Sequence, residues 1–410
     1  MAVRDLAPLS AVTAGLVTVL VSVTSTAAIV FSAARAAGAG HAELSSWMLA
    51  LCVGTGITCI GLSLRYRAPV VTAWSTPGAA LLVTALPGFT MREAVGAFLV
   101  SALLITVTGL TGWFGRVMDR VPASLAAALL AGVLLQFGIG LFASANTDAP
   151  LILAMFATYL ACRRLLPRYA VLAALAVGVT VAAVTGTFRP GQVRLSLAEP
   201  VLTMPSFSVQ AVIGVAVPLF VVTMASQNLP GVAVLRNDGY QVPVSPLITW
   251  TGVVNVVLAP LGVFGLNLAA ITAAICTGPQ AHPDPRRRYL ASVWAGAFYL
   301  VVGVFGATIT SLLAALPAVL VLGIAGIGLL ATIGSSLTTA VRDDRWREAA
   351  VVTLLATASG VELLGVGSAF WGLIAGLLTA WATGAFRPHP APPQVPAPDT
   401  PSPTSRAIKP

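Results

Sequence analysis

Charge is what this sequence has least of. Only 9% of its 410 residues are Asp, Glu, Lys or Arg, where a soluble domain carries roughly 25%. That leaves too little polar surface to coat a water-soluble globule of this length. Histidine is scarce too: His41, His282 and His389 fall in loops or in the tail. No H-E-x-x-H, G-x-S-x-G or P-loop pattern occurs, which argues against the common metal, acyl-transfer and nucleotide-hydrolysing templates. The four cysteines, Cys52, Cys59, Cys162 and Cys276, lie in or beside apolar stretches without C-x-x-C spacing, and read as buried thiols rather than ligands. No enzyme, metal site or cofactor is expected. The net charge of +9 comes from basic residues set singly or in threes between apolar runs, with no basic domain that would bind nucleic acid.

What is abundant is apolar sequence: 57% of residues are hydrophobic and the mean hydropathy is +0.93. A spanning helix needs about 20 mainly apolar residues. Runs of that kind, bounded by charge, Pro or Gly, occupy 11–34, 43–64, 91–114, 122–145, 149–166 and 169–187, with a shorter stretch at 69–86. After a polar connection carrying Arg189, Arg194 and Glu199 they resume at 207–229, 244–263, 287–312, 317–340, 347–366 and 368–386, with a short stretch at 265–277. The first run follows Arg4 and Asp5 but is too long for a signal peptide's apolar region, and further spans follow.

The expected architecture is an all-α polytopic membrane protein of 14 segments in two repeats, residues 1–190 and 200–387. Each repeat holds seven segments with the third interrupted, and an odd number per repeat inserts the second copy inverted. Paired broken segments of this sort mark transport sites. With the N-terminus in the cytoplasm, Arg35, Arg92, Arg189 and Arg194 fall outside and the other 18 of the 22 basic residues fall inside, as the positive-inside rule requires. Both termini are then cytoplasmic and the location is the inner (plasma) membrane. The Pro-rich tail, 388–410, lacks apolar periodicity and reads as disordered.

The first broken segment runs from Ala68 to Leu81. Its Val, Thr and Trp residues favour extended backbone, and Thr76 followed by Pro77 and Gly78 forms a helix start near mid-membrane, with Thr76 as cap. Such an end offers backbone N–H groups and the positive pole of a helix dipole to a carboxylate, and Trp74 offers a stacking surface. In its partner, Gly262 to Ile275, Asn267 is placed to cap a second half-helix. The eighth segment ends with Ser226, Gln227 and Asn228 deep in an apolar run, where they line a cavity or join helices. Gln136 and Asn255 either line the path or bond a neighbouring helix. Among acids, only Glu362 lies well inside an apolar run; Glu43 and Glu93 sit near segment ends.

The stretch Ala225-Ser226-Gln227-Asn228-Leu229-Pro230-Gly231, the stretch Thr72 to Gly78, and Gly367-Ser368-Ala369-Phe370-Trp371-Gly372 resemble the benzoate membrane transporter family, and the resemblance extends to about residue 387. It implies the fold of uracil permease and related anion carriers: a core domain (11–114 and 207–312), a gate domain (122–187 and 317–386), and short strands before half-helices in segments three and ten. It further implies benzoate uptake by proton symport, and dimerisation through the gate is common in such relatives. Nucleobase permeases carry an acid just before the tenth-segment Asn, where this sequence has Leu266, and another in the eighth segment. Losing acids that bind a ring N–H suits an anionic substrate, but removes the obvious proton carrier.

The expected partners are therefore a small aromatic carboxylate, a proton and the lipid bilayer. The expected site is Trp74, Ser75, Thr76, Pro77, Gly78, Ser226, Gln227, Asn228, Leu266 and Asn267, with Glu93, Glu362 or the substrate's own carboxyl carrying the proton. A carrier of nucleobases or inorganic anions on the same fold, and an uncoupled anion channel, are the alternatives.

Overall fold

The computed structural model describes residues 8–113, 122–165, 169–269, 272–279, 281–363 and 368–385. The Pro-rich tail and the junctions at 114–121 and 364–367 lie outside the described residues. The first half of the chain forms α1 (Leu9–Ala36), α2 (His41–Tyr66), β1 (Thr72–Trp74), α3 (Thr76–Ala85), α4 (Met91–Leu110), α5 (Ala123–Ala143), α6 (Ala149–Leu165) and α7 (Ala170–Val184). The second half forms α8 (Val209–Arg236), α9 (Val244–Leu258), β2 (Leu266–Leu268), α10 (Ala273–Thr277), α11 (Tyr289–Val304), α12 (Gly306–Ala315), α13 (Ala318–Val341), α14 (Arg347–Ala358) and α15 (Ser368–Ala382). Among the described residues six helices are long and apolar enough to cross a bilayer, or eight if each bent pair counts as one span. This is a multi-pass membrane protein.

Small residues set the closest helix crossings, because lipid supplies no hydrophobic drive and association relies on near approach of backbones. Gly56 of α2 faces Gly296 of α11, where a Cβ on either would come within 2.9 Å of the other's carbonyl oxygen. Gly252 of α9 packs likewise on Thr106 of α4, and Gly109 of α4 on Thr249 of α9.

Two helices depart from the sequence expectation. The apolar run 207–229 was expected to end before Pro230, yet α8 continues to Arg236. A proline inside an α-helix strands the carbonyl four residues earlier. Here a π-helical turn, Met224–Asn228, precedes Pro230, and another, Val212–Ala216, precedes Pro218. The i→i+5 pattern of a π-turn accommodates the missing N–H. Conversely, α14 stops at Ala358, short of the expected 366, and Gly360 takes a left-handed φ of +69°. Glu362 thus lies beyond the helix end and exposed, not inside a span.

Candidate functional site

In the middle of the bundle β1 and β2 pair antiparallel, Thr72 opposite Leu268, Ala73 opposite Asn267 and Trp74 opposite Leu266. The ladder extends by Ser75 N–H donating to the Gly265 carbonyl at 2.7 Å and Ala269 N–H to that of Val71 at 2.9 Å. All six strand residues are buried. A two-stranded sheet has two open edges, which water cannot satisfy in a bilayer. Helical side chains do so here. On the β1 side, Cys59 Sγ accepts from Thr72 N–H at 3.2 Å and Ser63 donates to the Val70 carbonyl at 3.0 Å. On the β2 side, Asn255 Oδ1 accepts from Leu266 N–H at 2.6 Å while its Nδ2 donates to the Leu266 carbonyl at 2.9 Å, and Asn228 Oδ1 accepts from Leu268 N–H at 2.9 Å.

Helix α3 springs directly from β1. Its cap is Ser75, whose Oγ accepts from Gly78 N–H at 3.0 Å and from the Thr223 hydroxyl at 3.2 Å. Thr76 is the first helical residue and Pro77 the second. The expected cap is thus displaced by one residue, because the strand ladder reaches Ser75 and leaves its side chain beside the first turn. On the other side, Asn267 caps no helix among the described residues. In the amide orientation that satisfies its neighbours it accepts from Ser75 N–H and donates to the Leu268 carbonyl, each at 3.0 Å, so it staples the two strands together. The described part of the second half-helix, α10, starts five residues after β2, with no side-chain cap.

A cavity of about 100 Å³ lies against the start of α3, walled by Trp74, Thr76, Pro77, Gln227 of α8, Thr26 of α1 and Thr332 of α13. Trp74 is held rigidly: its indole N–H donates to Thr26 Oγ1 at 2.8 Å, and its ring stands edge-on to Tyr299 at 5.8 Å. The Thr26 hydroxyl in turn donates to the Ser22 carbonyl at 2.7 Å. The chemistry on offer is an aromatic wall, a helix N-terminus and a small number of neutral hydrogen-bonding groups.

The family model described as Benzoate membrane transport protein matches residues 5–382. The chain belongs to the benzoate membrane transport family. It is a transport family, not an enzyme family. Within it, this member is 50% identical over 363 residues to the Inner membrane protein YdcO of Escherichia coli (strain K12), covering 88% of this chain and 93% of that one. It is 39% identical over 370 residues to the Benzoate membrane transport protein of Acinetobacter baylyi, covering 90% and 94%. Among solved structures, the transmembrane domain of the cyanobacterial bicarbonate transporter BicA aligns with a TM-score of 0.58 at 14% identity, covering 92% of this chain and 98% of that one. SLC26A9 aligns with a TM-score of 0.61 at 14% identity, covering 91% of this chain, which spans 65% of the SLC26A9 chain. These two likenesses establish a common fold.

In this benzoate transport family member the residues singled out from sequence divide into two groups. Trp74, Thr76, Pro77 and Gln227 reach the cavity. The Gln227 side chain makes no hydrogen bond among the described residues. Ser75, Asn228 and Asn267 are fully buried and bonded to backbone, with Asn228 latching β2 to α8. Gly78 lets Leu219 and Ser75 close in on the first turn of α3, and Leu266 packs toward Gly54 of α2. Ser226 faces a separate cavity of about 270 Å³ between α8, α5 and α13. Glu93 forms a capping box with Thr90 at the start of α4, its Oε2 accepting from Thr90 N–H at 2.9 Å. Neither Glu93 nor Glu362 touches the central cavity. Asn255 bonds a strand and Gln136 the Ala358 carbonyl, so both join elements together. Ser22, Thr26, Thr272 and Thr332 were missed. Hydroxyl residues in spanning helices commonly bond their own backbone and carry little signal in the sequence.

Proposed function

We propose that the protein is a secondary carrier of benzoate or a similar small aromatic carboxylate, working by proton symport and alternating access. The observation that carries this reading is the convergence of Trp74, Gln227 and the N-terminus of α3 on one cavity, in a chain whose family and whose Acinetobacter relative bear the benzoate transport description. Ser75 takes the Gly78 N–H and Pro77 brings none, which leaves the Thr76 amide as the first-turn donor for a carboxylate, beside the Thr76 hydroxyl and the Gln227 amide. Trp74 packs on the ring.

We further propose 14 segments in two inverted sevens, with residues 11–114 and 207–312 as core and 122–187 and 317–386 as gate. The antiparallel β1–β2 pair supports this, since each strand comes from the third segment of its repeat. So does the helix pairing: α2 crosses α11 as α9 crosses α4, the second against the eleventh segment and the ninth against the fourth. Thr332 is shared by the central cavity and two larger ones of about 270 and 370 Å³, a layout that suits a path toward the Arg-rich, cytoplasmic side. Among the described residues no Asp, Glu or His lines the central cavity, which favours the substrate's own carboxyl group as the proton carrier.

Uptake of labelled benzoate into proteoliposomes is the test. Saturable uptake driven by an inward proton gradient is expected. Uptake that does not saturate would point to a channel, and displacement by uracil or sulfate rather than by benzoate analogues would point to another substrate class.

A further inference from the structure

Next to the central cavity lies one of about 370 Å³, sharing Val21, Gly328 and Thr332 with it. Its size falls within the range of roughly 300–1,000 Å³ usual for small-molecule sites, whereas the central cavity falls below it. One end is formed by a pair on α6 spaced one helical turn apart. The hydroxyl of Tyr159, which is 6% exposed, accepts from Arg163 Nη1 at 2.8 Å, and the guanidinium carbon stands 5.9 Å from the Tyr159 ring centre. The tyrosine thereby fixes one arm of the guanidinium at the mouth of the cavity. Arg163 itself is exposed, and among the described residues no carboxylate lies within ion-pairing distance of it. The wall beyond is apolar, contributed by Val171, Ile275 and Ile327.

A guanidinium is a planar fork of donors matched to a carboxylate. Set at the open end of an apolar chamber, it complements a molecule with an anionic head and a flat hydrophobic body. We propose that this chamber is a second binding site for the aromatic carboxylate, with Arg163 bonding the carboxylate and Val171, Ile275 and Ile327 packing the ring. The substrate passes Thr332 on its way to or from the central cavity. The substrate class rests on the function proposed above; the site rests on the α6 pair and the chamber.

The experiment is equilibrium binding of labelled benzoate to the purified full-length protein, alongside proteoliposome uptake. The wild type should bind two benzoates per chain. Arg163→Gln should bind one, with uptake KM raised about tenfold, the scale of losing a charged hydrogen bond, and with maximal rate retained. Arg163→Lys should keep both sites, the second weakened about tenfold because a point charge lacks the fork. It serves as the deciding variant if Arg163→Gln does not fold. A wild type that takes up benzoate but binds one molecule, or an Arg163→Lys with both affinities and KM unchanged, would overturn the second site and leave the carrier reading standing. A wild type that neither binds nor takes up benzoate would remove both.

Discussion

Asn255 brackets Leu266, its side-chain oxygen accepting from the backbone N–H at 2.6 Å and its side-chain nitrogen donating to the backbone carbonyl at 2.9 Å. One amide side chain thus does what a third strand would do, meeting both polar groups of the residue on the outer edge of β2. In a bilayer those groups have no water to fall back on.

Replacing that side chain should be costly. Asn255→Ala leaves a buried donor and a buried acceptor unmet, and each such loss costs roughly 1–3 kcal/mol. A lowered thermal unfolding midpoint of the detergent-purified variant is expected, without recovery in Asn255→Leu, which restores the side-chain volume but supplies neither donor nor acceptor. A midpoint equal to wild type would mean that the bracket contributes nothing.

Gln227 and Asn228 are sequence neighbours with separable duties. Gln227→Ala should preserve the unfolding midpoint while raising uptake KM about tenfold, because it removes a free amide at the cavity. Asn228→Ala should lower the midpoint, by roughly 1–3 kcal/mol of stability, because Leu268 N–H loses its acceptor. Parallel midpoint and uptake measurements on the two variants check the division, and equal behaviour in both would contradict it.

The Trp74–Thr26 hydrogen bond is expected to set the pose of the aromatic wall. Thr26→Val leaves the indole N–H without its partner, and Trp74→Phe removes the N–H while keeping a ring. Phe should transport better than Trp74→Ala, and Thr26→Val should bind benzoate several-fold more weakly than wild type, on the scale of one neutral hydrogen bond of about 1 kcal/mol. Proteoliposome uptake by the two Trp74 variants and titration of labelled benzoate on Thr26→Val check the two expectations.

Neither acid marked as a proton candidate reaches the central cavity. Glu93→Gln, which keeps a capping-box side chain at its position, and Glu362→Gln should both retain uptake that responds to a proton gradient. Loss of that response in either variant, with transport otherwise intact, would return the proton to a side chain.

The half-helix at Thr76 and the extended stretch before it were legible because Pro77 and the β-branched, aromatic run of Val70, Val71, Thr72 and Trp74 speak through local preference. The strand status of Asn267 followed only from the resemblance, since its neighbours Leu266 and Leu268 lean toward helix by intrinsic preference; pairing with β1 overrides that preference. Gln227 and Asn228 diverge because neighbouring helical residues point about 100° apart, but which of the two meets the cavity is set by packing around the π-turn at Met224–Asn228, which has no simple sequence signature beyond Pro230. The Tyr159–Arg163 pair was invisible as chemistry because Arg163 was accounted for as topology alone.

The pairing of residues 72–74 with 266–268 also has a consequence for biogenesis. β1 is synthesised roughly 190 residues ahead of β2, which at about 5–20 residues per second is a delay on the order of ten to forty seconds. Throughout that interval the inner edge of β1 and the head of α3 have no partner, and a lipid-sealed environment would leave their amides unmet. Until the second half arrives those amides depend on water or on another protein for their partners, and the central cavity closes around its ladder only then.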